Sequence, residues 1–491
     1  MSKQLAEIGM VGLGVMGRNL VLNMADHGYA VVGYDKDPSR AQALQKEGAG
    51  KTVRGAASPN EFIASLRAPR AVMMLVPAGK IVDNVIRDLL PLLERGDLIV
   101  DGGNSYFKDT DLRAQMLTEK GIQYLGVGIS GGEAGARHGP SMMPGGPQDA
   151  YERVRAIFEA VAAHVNGDPC VTYLGPGSAG HYVKMVHNGI EYGLMRLIAE
   201  TYDLMKRGMG LTDDELADVY DQWNRGDLNA YLVEITAHIF RQVDDKTGKR
   251  LVDVILDEAK QKGTGKWTSQ EAMDLGVPLP TIDVAVAMRN LSAYKTERET
   301  ASRVLARVAQ PFKGDRSAML ERLRNALYAA TIITFAQGMA LLHQSSESYN
   351  YRLNLEDVAR IWRGGCIIRA ALLEKIRAAY RAQPDLPNLL LDPNFAKEIL
   401  DREDDLRTVV CTATELGIPV TALGVSLSYL DAVLGPPLHW PAAVVDASIY
   451  HYARLVPAVA PDWGTVAGFV VMGATALAVS IGWFACRDLA G

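Results

Sequence analysis

The fold of this chain is decided by one stretch near its start, Gly12-Leu13-Gly14-Val15-Met16-Gly17. An apolar segment over residues 5–11 precedes the stretch and predicts a β-strand, and residues 18–27 predict a helix after it. Residues 29–34 predict a second strand, which ends at Asp35. In a GxGxxG turn the first glycine allows the tight turn, the second admits a pyrophosphate, and the third lets helix pack on strand. The spacing therefore predicts a βαβ unit that binds a dinucleotide.

The remainder of the first 178 residues repeats this alternation. Further apolar runs at 71–77, 98–101 and 124–129 predict strands, and helical segments separate them. Such an alternation is typical of a mostly parallel sheet with helices on both faces. Residues 1–178 are therefore predicted to form an α/β dinucleotide-binding domain with a Rossmann-like doubly wound sheet.

Strand signals fade after about residue 180. Apolar residues then recur at helical spacing in long amphipathic segments, at 181–207, 213–224, 228–240 and 317–343. This pattern predicts an all-α domain over residues 179–433. Residues 434–491 form a short, apolar and atypical C-terminal tail.

The composition excludes several classes of protein. A net charge of -6 argues against a nucleic-acid partner, because a phosphate backbone needs a basic face. The four cysteines lie far apart without a CxxC pair, so neither a zinc site nor a disulfide framework is indicated. Reduced thiols and the lack of a signal-peptide apolar region at the start predict a cytoplasmic location.

A second motif opens the predicted helical domain, His181-Tyr182-Val183-Lys184-Met185-Val186-His187-Asn188-Gly189-Ile190-Glu191-Tyr192. Residues three, four and seven apart share one face of a helix. Lys184, His187, Asn188 and Glu191 are therefore expected on one side, with Tyr192 at its edge. A lysine, an amide and a carboxylate on one stripe suit proton transfer. Together with a dinucleotide site, this face predicts a dehydrogenase.

The residues alone leave the cofactor open. Asp35, at the end of the second predicted strand, can hold the ribose hydroxyls of NAD and would repel a 2′-phosphate. Lys36, its neighbour, could attract that phosphate. A third interpretation makes Asp35 a helix N-cap ahead of Pro38.

With these motifs in place, the chain resembles the decarboxylating 6-phosphogluconate dehydrogenases of the pentose phosphate pathway and gluconate utilization. The resemblance covers roughly residues 5–431. Its motifs are residues 12–23, 101–104, 128–133, 140–146, 180–192, 262–268 and 363–369, with Tyr429 in its helix.

The resemblance implies a reaction and two catalytic residues. Lys184 is expected to take the proton from the C3 hydroxyl of 6-phosphogluconate while the hydride leaves for the nicotinamide. The same lysine, now protonated, assists loss of CO2, and Glu191 protonates the enediol carbon to give ribulose 5-phosphate. NADP is the cofactor by family default, NAD remains an alternative from Asp35, and no metal takes part.

The resemblance also implies binding residues and a homodimer, and it makes residues 179–433 the substrate and dimerisation domain. The sugar acid is expected to contact Asn104, Ser130, Gly131, Gly132, His187 and Asn188. The substrate phosphate is expected to contact Tyr192, Lys262 and Arg289. The residues expected at the cofactor are Gly12, Gly14, Val15, Met16, Gly17, Asp35, Lys36, Val76, Ala78 and Asn104.

Two departures from the family lie in the first domain. Asp35-Lys36-Asp37 stands where NADP-preferring members carry Asn-Arg-Ser or Asn-Arg-Thr, which favours NAD or dual use. Pro77 stands where the family often has a lysine or glutamine, and the main-chain contact to the cofactor could survive this change.

The third departure is the tail. The family pattern ends after about Asp431, and an ungapped match puts Ile449 and Leu455 where an Arg and a His normally reach the neighbouring subunit's substrate phosphate. Residues 463–486 carry no charged side chain and are long enough to span a bilayer. They are interpreted as a membrane anchor, as a helix buried in a dimer interface, or as the product of a frame shift near residue 434. The abruptness of the break favours the last of these.

Two alternative functions remain. A related β-hydroxyacid dehydrogenase acting on an unphosphorylated sugar acid, such as gluconate, would account for the missing tail cations. A weakly active, tail-anchored nucleotide-binding protein would account for the apolar tail.

Overall fold

The computed structural model describes residues 4–305 and 310–434 of the 491 in the chain. The chain forms two compact units, Met1–Tyr429 and Leu430–Gly491, and of the second the structure describes only the last residues of a helix, as far as Leu434. The expectations for Ile449, Leu455 and residues 463–486 therefore lie outside the described residues.

The first part of the chain builds one twisted sheet with the strand order β3-β2-β1-β4-β5-β6-β7. All neighbouring pairs are parallel except β6 and β7, which are antiparallel. The strands are β1 Ile8–Val11, β2 Val31–Tyr34, β3 Val53–Ala56, β4 Ala71–Met74, β5 Leu98–Asp101, β6 Gln123–Ser130 and β7 Ser141–Gly145, and a two-stranded ribbon follows at β8 His164–Val165 and β9 Asp168–Pro169. The predicted doubly wound sheet is confirmed, although the sequence pattern missed β3 and β7.

Helices cover both faces of this sheet. They are α1 Val15–Asp26, α2 Pro38–Glu47, α3 Pro59–Ala64, α4 Lys80–Leu89, α5 Phe107–Glu119, α6 Gly132–His138 and α7 Gln148–Val161. Alternate side chains of each strand enter different cores, because neighbouring residues of a strand point to opposite faces. In β4, for example, Met73 packs with α1 and α7 residues, whereas Val72 and Met74 pack with residues of α3 and α4.

From Ala179 onward the described chain is helical. The helices are α8 Ala179–Asp203, α9 Asp213–Trp223, α10 Tyr231–Arg241, α11 Leu251–Val254, α12 Thr264–Leu275, α13 Pro280–Ser292, α14 Lys295–Val304, α15 Arg316–Ser348, α16 Leu355–Ile361, α17 Leu372–Ala382, α18 Pro393–Leu400, α19 Glu403–Leu416 and α20 Thr421–Leu434. A π-helical turn at Leu204–Gly208 extends α8. The predicted all-α region is confirmed, with α15 reaching further than predicted.

Helix α8 lies directly on the sheet because glycines remove the side chains between them. A Cβ added at Gly128 of β6 would come within 2.3 Å of Lys184 Cβ, and one at Gly126 within 2.8 Å of His181 Nδ1. At the start of α8, a Cβ on Gly180 would lie 2.2 Å from the Met143 carbonyl oxygen. These contacts bring the first turns of α8 onto β6 and β7.

Helix α15 is the long central helix of the α-helical part. Among the described residues it is the one helix long and apolar enough to cross a membrane, and 83% of its most apolar window is buried inside the fold. Glycines again allow close packing, since a Cβ at Gly193 of α8 would lie 2.6 Å from Thr334 of α15. Burial of this kind identifies α15 as a core helix.

Candidate active site

A crevice opens where the strand order reverses, between β1 and β4. Open α/β sheets bind their ligands at such a switch point, outside the carboxyl ends of the strands. The cavity here measures about 500 Å³. Its wall includes the residues Val11, Gly12, Gly14, Tyr34, Asp35, Lys36, Arg40, Val76, Pro77 and Asn84.

The three glycines of the first motif have three distinct surroundings. Gly12 has a φ of +93°, and a Cβ there would lie 2.5 Å from the Leu75 carbonyl oxygen. A Cβ on Gly17 would lie 1.9 Å from the Gly12 carbonyl oxygen, so only glycine fits. Gly14 lines the crevice, and the nearest atom to a Cβ there is Arg40 Nη1 at 3.9 Å. The free space at Gly14 is where a pyrophosphate can approach the backbone.

Helix α1 begins at this turn with Val15 and Met16. Within the described structure no side chain caps its N-terminus, where Gly14 holds the capping position. The first N–H groups of a helix lack partners inside the helix and bear its positive end. They are therefore available to a phosphate, as the motif predicts.

Asp35 holds the glycine turn from the end of β2. Its Oδ2 accepts a hydrogen bond from the Leu13 N–H at 2.7 Å, and its Oδ1 accepts one from the Asp37 N–H at 2.9 Å. The cap of α2 is Asp37, whose carboxylate accepts from the Ser39 N–H, so the interpretation of Asp35 as that N-cap is wrong.

Arg40 is a cation that the sequence interpretation missed. Its Nη1 lies 3.4 Å from Asp35 Oδ2 and its Nε 3.6 Å from Asp37 Oδ2, at the crevice wall. Lys36 lines the same wall and pairs with Asp88 at 3.1 Å. Arg40 lies in the first turn of α2, four residues after Lys36, and this spacing was the sequence signal for a second cation at the crevice.

Two further loops border the crevice. Val76 and Ala78 lie in the loop between β4 and α4, and Val76 lines the cavity. Asn104 lies in the loop between β5 and α5 and is partly exposed. The predicted cofactor residues are thus distributed over the carboxyl ends of β1, β2, β4 and β5, at one edge of the sheet.

The turn after β6 packs against the loop that follows α16. Gly131 has a φ of +115°, and a Cβ there would lie 2.5 Å from the Gly365 carbonyl oxygen. Gly132, with a φ of +59°, starts α6. Ser130 ends β6 and is buried, with its hydroxyl 3.3 Å from His187 Nε2. The structure therefore brings this turn to the predicted helix face.

The predicted stripe of α8 is a connected polar cluster. Lys184 Nζ donates to Asn188 Oδ1 at 2.8 Å, and His187 Nδ1 lies 3.1 Å from the same oxygen. Glu191 Oε2 lies 3.8 Å from His187 Nδ1. Asn188 Nδ2 in turn donates to the hydroxyl of Thr264 at 3.0 Å.

Burial changes the proton affinities of this cluster. Lys184 is only 5% exposed, and burial lowers its pKa although the charge of Glu191 acts in the opposite direction. Burial and the charge of Lys184 hold the pKa of His187 well below its ordinary value, so His187 is a neutral imidazole. Burial raises the pKa of the Glu191 carboxyl against the charges of Lys184 and Arg289. Burial therefore shifts Lys184 toward the neutral amine and Glu191 toward the protonated carboxyl.

The predicted phosphate ligands lie at the other end of the stripe. The guanidinium of Arg289 stacks 3.9 Å over the Tyr192 ring and donates to the Lys260 carbonyl oxygen at 2.9 Å. Gly265 allows α12 to approach, because a Cβ there would lie 2.5 Å from the Tyr192 ring. Lys262 is exposed in the loop that precedes α12.

Three further residues complete the surroundings and were not singled out from the sequence. Thr264 opens α12 and holds Asn188. Trp362 makes an edge-to-face contact with His187, with ring centres 5.6 Å apart. Cys366 is a buried thiol whose pKa burial raises to about 12, near Lys184. Thr264 and Cys366 lie inside motifs quoted for the family, which was the signal for both.

In the part of the chain that the structure describes, no group of three or more His, Cys, Asp or Glu side chains is placed to hold a metal ion.

Comparison with known proteins identifies matches along almost the whole chain. A family model for the NAD binding domain of 6-phosphogluconate dehydrogenase matches residues 7–175. A second, for the C-terminal domain of 6-phosphogluconate dehydrogenase, matches residues 180–448. The similarity therefore continues past Asp431, further than the motifs alone indicate.

Curated relatives and a solved structure agree with these models. The chain is 52% identical over 432 residues to a decarboxylating 6-phosphogluconate dehydrogenase of Synechococcus elongatus, covering 87% of this chain and 92% of the relative. It is 49% identical over 433 residues to an NADP(+)-dependent decarboxylating enzyme of Bacillus subtilis, covering 88% and 92%. The Plasmodium falciparum 6-phosphogluconate dehydrogenase, solved in its apo form and with NADP+ or 6-phosphogluconate, superposes with a TM-score of 0.85 at 44% identity, covering 90% and 95%.

Proposed function

The chain belongs to the 6-phosphogluconate dehydrogenase family, and from this premise we propose how its residues carry out the reaction. The enzyme oxidises and decarboxylates 6-phosphogluconate to ribulose 5-phosphate and CO2, and reduces NADP in the pentose phosphate pathway. The observation that carries the assignment of roles is the buried, hydrogen-bonded face of Lys184, His187 and Asn188 beside Glu191.

The crevice fits a dinucleotide. The space at Gly14, the uncapped start of α1 and the cavity of about 500 Å³ provide for the pyrophosphate and adenosine, with Lys36 and Arg40 at the crevice wall. Bound there, the nicotinamide supplies one function, the acceptance of a hydride from the substrate. Val76, Ala78 and Asn104 would hold the cofactor from the neighbouring loops.

Lys184 acts as the base. Burial lowers its pKa, so the neutral amine can accept the proton of the C3 hydroxyl while the C3 hydride departs. Asn188 orients this amine by accepting its hydrogen bond at 2.8 Å. His187, kept neutral by burial, and Ser130 hold the hydroxyls of the sugar acid. Gly131 lets the turn pack against Gly365, and Gly132 leaves room for the carboxylate to approach the backbone.

Lys184 and Glu191 then serve the loss of CO2. The product of oxidation is a 3-keto acid, in which the C1–C2 bond breaks and its electron pair enters an enediol. The ammonium form of Lys184 donates a hydrogen bond to the C3 oxygen as charge develops there. Glu191, whose pKa burial raises, donates its proton to the carbon that lost CO2. After the two steps Lys184 has gained the proton of the C3 hydroxyl and Glu191 has lost its own proton.

The substrate phosphate is bound at the far end of the same face. Tyr192 and Arg289 are in contact through the stacked guanidinium. Arg289 also donates to the Lys260 carbonyl oxygen, and the exposed Lys262 lies two residues further along that loop. Arginine suits this role because its planar guanidinium binds phosphate with two N–H groups.

NADP is the preferred cofactor in this proposal, and NAD is also accepted. Lys36 and Arg40 supply positive charge near the place of a 2′-phosphate, whereas Asp35 and Asp37 oppose it. Both oxygens of Asp35 already accept hydrogen bonds from the Leu13 and Asp37 backbone. Asp35 is therefore less available to the ribose hydroxyls of NAD, which supports the preference for NADP.

The enzyme is further proposed to be a cytoplasmic homodimer. The family resemblance supports the dimer, and the net charge of -6 supports the absence of nucleic acid as a partner.

The decisive experiment follows initial rates with 6-phosphogluconate and CO2 release, with NADP and NAD in parallel. We expect turnover with CO2 release with both cofactors, and we expect kcat/KM to be higher for NADP than for NAD. Gluconate in place of 6-phosphogluconate is the control for the phosphate site. A ratio of kcat/KM near one for the two substrates would contradict the proposal and favour a dehydrogenase of unphosphorylated acids.

A further inference from the structure

Asp101, at the end of β5, is fully buried, and its carboxylate accepts hydrogen bonds from three donors. Its Oδ1 accepts from the Gly103 N–H at 3.0 Å. Its Oδ2 accepts from the Ser105 hydroxyl at 2.6 Å and from the Tyr124 hydroxyl at 2.9 Å. Such a cage stabilises a carboxylate that burial would otherwise penalise.

Two of these donors stand on either side of Asn104. Gly103 precedes it and Ser105 follows it, so one carboxylate holds both ends of a three-residue segment. Gly103 is also confined, because a Cβ there would lie 3.1 Å from Asp101 Oδ1 and equally close to the Val76 carbonyl oxygen. The backbone of Asn104 is thereby tied to Asp101 on both sides.

The main chain of Asp101 reaches the catalytic helix. His181 Nε2 lies 3.1 Å from the Asp101 carbonyl oxygen, and His181 Nδ1 lies 2.7 Å from the Thr110 hydroxyl. Burial lowers the pKa of His181, and with these partners the neutral ring donates from Nε2 and accepts at Nδ1. His181 stands one helical turn before Lys184 in α8.

We infer that Asp101 is a positioning residue, which fixes the distance between Asn104 on the cofactor side and Lys184 on the substrate side. Its side chain holds the Asn104 loop, and its carbonyl group holds α8 through His181. Hydride transfer needs the donor carbon and the nicotinamide within a narrow range of distance, so a loose Asn104 loop would slow this step. This inference rests on the proposed function.

The test is Ser105→Ala, which removes one bond from the loop and leaves the Asp101 carboxylate in place. We expect kcat/KM to fall by between about tenfold and about a hundredfold, with KM raised for both 6-phosphogluconate and NADP. The primary deuterium isotope effect with substrate labelled at C3 should increase, because hydride transfer becomes more rate-limiting. Asp101→Asn, which keeps one acceptor, should show the same pattern.

Tyr220→Phe is the matched control. It removes a buried hydroxyl that contacts the Thr201 hydroxyl at 2.7 Å in the helical part, away from the site. The control should lower the melting temperature by a similar amount without moving either KM or the isotope effect. If Ser105→Ala and Asp101→Asn behave like this control, Asp101 only stabilises the fold and the inference is overturned. Failure of the unsubstituted enzyme to turn over would instead refute the proposed function.

Discussion

Lys184 shows how one residue acquires its chemistry from its surroundings. A lysine in water is protonated at neutral pH and cannot act as a base. Here β6 and α8 enclose the side chain, and the nearest partners are an amide oxygen and a neutral imidazole. Neither partner carries a negative charge, and burial outweighs the charge of Glu191, so the pKa of Lys184 is lowered.

Lys184→Met is expected to lower kcat by a factor of about 10²–10⁴, the usual contribution of a general base. Binding of NADP should be unchanged, because Lys184 belongs to the substrate side. Initial rates and a cofactor titration measure both quantities. Lys206→Met, which alters a lysine paired with Asp213 beyond the end of α8, is the control. A kcat within about threefold of the unsubstituted enzyme would exclude Lys184 as the base.

The same substitution is expected to stabilise the fold at neutral pH, by roughly 0.5–2 kcal/mol, since active-site residues are often kept at the expense of stability. The folded-state pKa of Lys184 is lowered, whereas the unfolded chain titrates near ~10.4. Below that pH the unfolded chain binds a proton that the folded chain excludes, so the native enzyme loses stability as pH falls.

The advantage of Lys184→Met should therefore shrink as pH rises toward ~10.4. Denaturant unfolding at pH 7 and pH 10 measures the difference in the free energy of unfolding. An equal difference at both values of pH would show that packing, and not the proton, is responsible.

Asp35 is expected to set the cofactor ratio. Asp35→Asn removes a negative charge beside the 2′-phosphate site and keeps an oxygen for the Leu13 N–H. The ratio of kcat/KM for NADP to that for NAD should rise by about tenfold, since charges in contact near a protein surface interact by roughly 1–4 kcal/mol. Asp26→Asn, at the far end of α1, is the control. An unchanged ratio would assign the choice of cofactor to Lys36 and Arg40.

At the scale of elements, the close packing of α8 on β6 determines the geometry of the site. Gly128→Ala is expected to push α8 from the sheet, because its Cβ would overlap the Lys184 side chain at 2.3 Å. Overpacking of this kind costs about 1–3 kcal/mol of stability, and kcat should fall by about tenfold or more. Unfolding and initial-rate measurements test both.

Gly424→Ala serves as the control for this change. It places the same methyl group in α20, where no atom of the described residues lies within 4 Å of the added carbon. Helix propensity predicts a neutral or slightly stabilising effect of up to ~1 kcal/mol and unchanged kinetics. Equal behaviour of the two variants would show that the α8–β6 contact tolerates an additional carbon.

Much of the site could be predicted because its signals are local. The GxGxxG spacing places Gly12, Gly14 and Gly17 where the structure has them, each with the environment that the motif requires. Helical periodicity likewise places Lys184 beside Asn188, and His187 beside Glu191. Both patterns depend on neighbours within one or two turns of chain.

The other parts depend on contacts between distant segments, which periodicity does not encode. Thr264 reaches Asn188 only through the packing of α12 on α8, and Trp362 reaches His187 from the residue after α16. Strand β3 was missed because it is short and only half-buried, so its residues lack a clear apolar pattern. Arg40 was missed since its contacts with Asp35 and Asp37 follow from the turn at the start of α2.

At the scale of the whole molecule, the full chain is expected to sediment as a dimer, at twice its mass of 53.2 kDa. If the partner's chain completes the substrate site, specific activity should fall on dilution below the dissociation constant of the dimer. Sedimentation velocity and activity measured over the same concentration range test this. Full activity from a species that sediments as a monomer would contradict the proposed dimer.

The glycines of α8 have a consequence for how the enzyme fails on heating. This helix is pressed against the sheet at Gly180, against α12 at Gly189 and against α15 at Gly193. A helix held on three sides cannot detach by itself, so its amide protons should exchange with solvent only when the whole core opens. We therefore expect no partly open, inactive state of the catalytic cluster alone, and thermal inactivation should coincide with the loss of the fold.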